Sequence, residues 1–113
     1  MSPSLHDFLR HILHECDYIL KVTDKISYDA FANDETLRKA TVRSLEIIGE
    51  AVKKLPGDFR TENSHIAWRE IAGMRDFLIH VYFGIDYEIV WDAIQNNIPE
   101  LRLQLIELIS ENS

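Results

Sequence analysis

The 113-residue chain is poor in three things: cysteine, glycine with proline, and basic charge. A lone Cys16 excludes an intramolecular disulfide and fits a reducing cytosol. Its neighbours Ile12, Leu13, Ile19 and Leu20 mark it as a core residue rather than a reactive thiol. Four glycines and three prolines leave room for long, uninterrupted elements. No stretch approaches the roughly 18 apolar residues of a membrane span, and no basic region followed by an apolar run opens the chain. A cytoplasmic, unanchored protein is expected. With 12 Lys and Arg against 19 Asp and Glu, the net charge is −7, so the surface as a whole repels polyanions and any nucleic-acid contact must be local. There is also no Gly-rich phosphate loop, no cysteine pair for zinc, no His-Glu-x-x-His and no Gly-x-Ser-x-Gly. Neither a metal nor a cofactor is expected.

What is present is helical periodicity. The length fits one domain, 1–113, with a single core. Ser2 and Pro3 read as N-cap and first helical residue of a helix to about Val22, whose apolar series Leu5, Leu9, Ile12, Cys16, Ile19, Thr23 runs at spacings of four and three. His6, His11 and His14 lie along it without the i, i+4 pairing of a helical metal site, and read as solvated. Ser27 or Asp29 caps a short second helix carrying Tyr28 and Phe31. Asn33-Asp34 opens a longer third one, striped by Leu37, Thr41, Leu45, Ile48, Val52 and Leu55 and closed by Pro56-Gly57. Gly49 inside it costs about 1 kcal/mol against Ala, which a close helix crossing or mere tolerance would explain. Arg43, Glu46 and Glu50 read as a solvated face.

Residues 56 to about 64 read as the longest loop, with Asn63 or Ser64 capping the next helix from Ile66. That helix is the most apolar of the chain, through Trp68, Ile71, Met74, Phe77, Leu78, Val81 and Phe83, and is expected to be buried on more than one side, with a bend allowed at Gly73. Gly84 ends it. Asp86 caps a helix from Tyr87 to about Asn97, and Pro99 permits a kink or a restart before a terminal helix with Leu101, Leu105, Leu108 and Ile109. The expected architecture is all-α, an up-and-down bundle of four or five helices.

Within the apolar helix, Arg75, Asp76, His80 and Tyr82 put four polar groups into eight residues. Such a cluster is either a satisfied polar network or a site. At about 100° per residue, Asp76 and His80 lie one turn apart and about 40° around the helix, so carboxylate and imidazole can pair, while Arg75 and Tyr82 share a second face about 20° wide. Arg75 and His80 are separated by about 140° and do not converge on a straight helix. Two copies of the helix meeting across a two-fold axis, or a bend at Gly73, would bring such residues to one cleft, so a homodimer is expected on mechanistic grounds. His80 suits general acid–base work near neutrality, and Arg75 can stabilise charge on a phosphoryl transition state. Metal-independent RNA cleavage needs that combination, a base for the ribose 2′-hydroxyl and a cation for the phosphate.

Arg75, four residues, His80, one residue, Tyr82 resembles the signature of the HepT-like toxins of the HEPN superfamily, with Asp76 where Asn is more usual. The likeness extends to 47–52 (Ile-Ile-Gly-Glu-Ala-Val), 68–74 (Trp-Arg-Glu-Ile-Ala-Gly-Met), 86–91 and 98–101, and so covers most of the chain in order. It implies an all-helical homodimer whose signature helices line a composite cleft. It also implies a metal-independent ribonuclease toxin of a toxin–antitoxin pair, of the type VII-like kind. The partner it implies is a minimal nucleotidyltransferase antitoxin that transfers AMP from ATP onto the signature tyrosine. Carried over by position, Arg75 and His80 are catalytic, Asp76 is supporting and Tyr82 is the modified residue. The expected function is thus RNA endonuclease; the alternative, favoured by the acidic balance, is a non-catalytic helical partner of a nucleotidyltransferase.

Overall fold

The computed structural model describes residues 4–80 and 86–111, and leaves the side chains of Ile79 and His80 outside that description. All regular structure among the described residues is helical. Four long helices form the frame: α1 (Leu5–Val22), α3 (Glu35–Lys53), α5 (Trp68–His80) and α7 (Ile98–Glu111). Short helices α2 (Tyr28–Ala32), α4 (Gly57–Glu62) and α6 (Tyr87–Asp92) connect them. α1 packs between α3 and α7, and α3 in turn packs on α5.

The helix starts follow capping chemistry. Ser4, rather than Ser2, caps α1: its hydroxyl accepts from the Asp7 amide while the Asp7 carboxylate accepts from the Ser4 amide, a reciprocal capping box. Ser27, Asp34 and Asp86 cap α2, α3 and α6 through side-chain oxygens, as the sequence predicts. Between α1 and α2 the chain reverses through Lys25 at φ 59°, a left-handed position held here by a side chain. The stretch after Pro56 is not a plain loop, because Gly57–Glu62 winds into α4 and seats Phe59 against Trp68. Asn63 closes α4 instead of capping α5, and its carbonyl accepts from the Trp68 indole N–H at 3.1 Å. The following helix therefore starts at Trp68, two residues later than its periodicity suggests.

The most instructive departure surrounds Pro99. No break or restart occurs: α6 runs into a wider π-helical turn, Ala93–Asn97, and on into α7, with the Ile98 amide donating to the Ala93 carbonyl five residues back. Proline lacks an amide and its ring collides with the carbonyl four residues earlier in a regular helix. The expanded turn immediately before it relieves that crowding without ending the helix.

One core runs through the molecule. Leu9, Ile12, Cys16 and Ile19 of α1 meet Leu45, Ile48 and Val52 of α3 and Leu101, Leu105 and Leu108 of α7, all nearly or fully buried. Burial pushes the Cys16 thiol up to about 12, consistent with its place among apolar side chains. Phe31, Tyr87 and Trp91 pack edge-on or tilted at one end of this core, with the Arg38 guanidinium 4.9 Å above the Tyr87 ring. α5 is less enclosed than its composition predicts. Trp68 and Leu78 are buried, but Ile71, Ala72, Met74 and Phe77 remain partly exposed, so its apolar surface is not consumed within one chain.

Candidate functional site

The site begins with two helices that come unusually close. A Cβ placed on Gly49 of α3 would lie 2.3 Å from the Arg75 Cβ and 3.3 Å from the Ile71 carbonyl oxygen. No side chain fits there, so the glycine is required by the crossing and its helix-propensity cost is offset by packing. The stem of Arg75 thus lies directly on the α3 backbone. That contact sets where its guanidinium emerges, with 30% of the side chain exposed.

One turn beyond Gly49, Lys53 leaves the same face of α3 and reaches α5. Its ammonium lies 2.6 Å from Asp76 Oδ1, and Arg75 Nη1 donates to the same oxygen at 3.2 Å. Two cations therefore bracket one carboxylate. The Lys53 hydrogen bond above all, with Arg75 second among the stabilising partners, holds the Asp76 carboxyl below the usual range. Asp76 stays ionised near neutrality and ties the two helices together through charge as well as contact. All three side chains are 30–45% exposed, so the cluster is solvated rather than sealed in the core.

These contacts revise one expectation. Arg75 and Asp76 were placed on different faces, yet they meet, because a long guanidinium can fold across the helix surface to its neighbour. Lys53 and Arg75 are the partners of Asp76 among the described residues, and the expected pairing of Asp76 with His80 involves a side chain outside them. The His80 backbone ends α5; its side chain lies outside the described residues, as does Tyr82 entirely. α5 is helical without interruption from Trp68 to His80, across Gly73, which keeps the Arg75 and His80 positions about 140° apart around the helix. Lys53 was not singled out by sequence. Its signal was the Gly49-x-x-x-Lys53 spacing, which puts a cation one turn from a glycine built for helix contact.

Around this cluster opens a broad groove of about 1100 Å3, bordered by Lys53, Arg60, Arg69, Gly73 and Asp76 among others. Among the described residues no group of three or more His, Cys, Asp or Glu side chains is placed to hold a metal ion, and no helix is long and apolar enough to cross a membrane.

The family model described as ribonuclease HepT-like matches residues 12–108. A protein of Caldanaerobacter subterraneus subsp. tengcongensis, named as a "Putative RNase", is 51% identical over 104 residues, which make up 92% of this chain and 93% of that one. A "Putative RNase" of Methanocaldococcus jannaschii is 45% identical over 92% of this chain and 86% of its own. The "Probable ribonuclease HepT" of Thermococcus cleftensis is 41% identical over 90% of this chain and 93% of its own. No solved structure matches the fold. The helical architecture, the Arg75-anchored crossing and the match along nearly the whole chain converge: this protein belongs to the ribonuclease HepT-like family.

Proposed function

We propose that the protein is a metal-independent RNA endonuclease and the toxin of a toxin–antitoxin pair, working as a homodimer. The observation that carries this is the placement of Arg75. Its stem is fixed on Gly49 and its guanidinium is 30% exposed, where a phosphate can reach it, while its partner Asp76 and Lys53 line the neighbouring groove. His80 is the base that takes the proton from a ribose 2′-hydroxyl. The freed oxygen attacks the adjacent phosphorus, a P–O bond to the next nucleotide's 5′-oxygen breaks, and that oxygen leaves with a proton, leaving a 2′,3′-cyclic phosphate. Arg75 stabilises the extra charge on the phosphoryl oxygens in the transition state. Asp76, shared between Lys53 and Arg75, supports the reaction by holding the guanidinium in register.

The homodimer follows from two features. The positions of Arg75 and His80 lie about 140° apart around an uninterrupted helix, so Arg75 of one copy and His80 of another would complete a cleft. The partly exposed Ile71, Met74 and Phe77 supply apolar surface for such a meeting. Neutralisation is assigned to a minimal nucleotidyltransferase. The Tyr82 phenol oxygen attacks the α-phosphorus of ATP, pyrophosphate leaves and the phenolic proton is lost, giving an AMP-tyrosine that blocks the cleft with bulk and negative charge.

The test is RNA cleavage in EDTA by wild type and His80→Ala. Wild type is expected to yield cyclic-phosphate ends and the variant to lose about 10²–10⁴-fold in rate. Equal, negligible cleavage by both would sink the endonuclease and leave the acidic chain as a non-catalytic partner of a nucleotidyltransferase. A mass gain in AMP steps on coexpression with that partner, lost in Tyr82→Phe, tests the modification separately.

A further inference from the structure

We infer that the groove beside α5 is an RNA-strand subsite, in which Arg60 and Arg69 hold backbone phosphates outside the scissile one. This rests on the ribonuclease reading and extends it from the reacting centre to the path of the substrate. The chain carries a net charge of −7, so a polyanion finds purchase only where that sign is locally reversed. The groove is such a place: Lys53, Arg60 and Arg69 line it against Glu70 and Asp76, and Asp76 is already occupied by Lys53 and Arg75.

Arg60 and Arg69 have no carboxylate partner among the described residues, unlike Lys53, Lys54, Arg43 and Arg102. Arg60 is half-buried and Arg69 exposed, and both line the groove. The groove, of about 1100 Å3, has room for a strand. Asp76 and Lys53 belong both to the groove and to the Arg75 cluster, so a strand lying in the groove is continuous with the proposed reaction centre.

The experiment measures cleavage and binding of single-stranded oligouridine and of the dinucleotide UpU by wild type, Arg60→Gln/Arg69→Gln and Arg60→Lys/Arg69→Lys. Binding is read in the His80→Ala background as the slope of log K against log salt. Loss of two phosphate contacts lowers that slope by about 1.4, from about 0.7 per contact on a single strand. The Gln pair is expected to raise KM for oligouridine about tenfold with kcat held, to cut the preference for oligouridine over UpU by the same factor, and the Lys pair is expected to keep the slope. An unchanged slope and KM in the Gln pair, with wild type active, would overturn the subsite while leaving the endonuclease intact, and would turn the groove over to an acidic protein segment. Equal loss on UpU and oligouridine, or loss of the slope in the Lys pair, would show a structural role and overturn it as well. A wild type that neither binds nor cleaves either RNA would overturn the ribonuclease reading and the subsite with it.

Discussion

The contact of α1 with α7 and the contact of α3 with α5 are built for different ends. The first is a sealed apolar seam: Leu9, Ile12, Cys16 and Ile19 face Leu101, Leu105 and Leu108, with polar chemistry confined to the rim, where Arg102 Nε reaches Asp17 at 2.6 Å. The second brings backbones together over a glycine and fills the space with an arginine stem, then lets three charged groups meet at the surface. Apolar burial accounts for most of the stability of a fold, whereas an exposed charge cluster contributes little to it. The first contact holds the molecule up, and the second holds a guanidinium in place.

That contrast can be broken or sharpened by mutation. Leu105→Ala, in the sealed seam, is expected to cost about 2–5 kcal/mol of unfolding free energy, with RNA cleavage per folded molecule retained. Denaturant melts paired with rate measurements check both halves. Gly49→Ala is expected to cost about 1–3 kcal/mol through overpacking, because the Arg75 Cβ and the Ile71 carbonyl are main-chain-anchored and cannot simply swing aside. Arg102→Ala, removing an exposed pair, should shift stability by no more than about 1 kcal/mol. A loss of several kcal/mol there would show that the rim, and not the seam, carries the α1–α7 contact.

The smallest effect concerns pH. Asp76 has its carboxyl depressed by Lys53 and Arg75, so its contribution to stability is present above the unfolded value of about 3.9 and is lost as pH falls through the lower folded value. Asp76→Asn should therefore lower stability slightly at neutral pH and converge with wild type as the carboxyl protonates, which flattens the acid limb. An acid limb identical to wild type would mean that the bracketed carboxylate does not tie α3 to α5.

Much of the frame was legible in the sequence, because period and caps act locally. Ser27, Asp34 and Asp86 could each be recognised as caps from a few residues, and the stripe from Leu37 to Leu55 names the buried face of α3. Sequence failed where the outcome depends on something distant. Pro99 permits a kink or a restart, but α6, the π turn and α7 follow one another without a restart. α4 forms in a polar stretch where tertiary packing of Phe59 on Trp68 outweighs weak propensity. The Arg75 and Asp76 positions were evident from α5 alone; their partners Gly49 and Lys53 were not, because only the helix crossing brings residues 23 or more apart into contact.

The central claim is that the α3–α5 crossing exists to place Arg75, and the two glycines near it test this most directly. The measurement is the RNA cleavage rate in EDTA of Gly49→Ala and Gly73→Ala, each shown to be folded by its circular dichroism. Gly73→Ala enters open space on a helix and should gain up to about 1 kcal/mol in stability while cleaving as wild type does. Gly49→Ala displaces the arginine stem and should cleave about 10²-fold more slowly, the scale of loss from misplacing a reacting group by an ångström. Wild-type cleavage by folded Gly49→Ala would contradict the account.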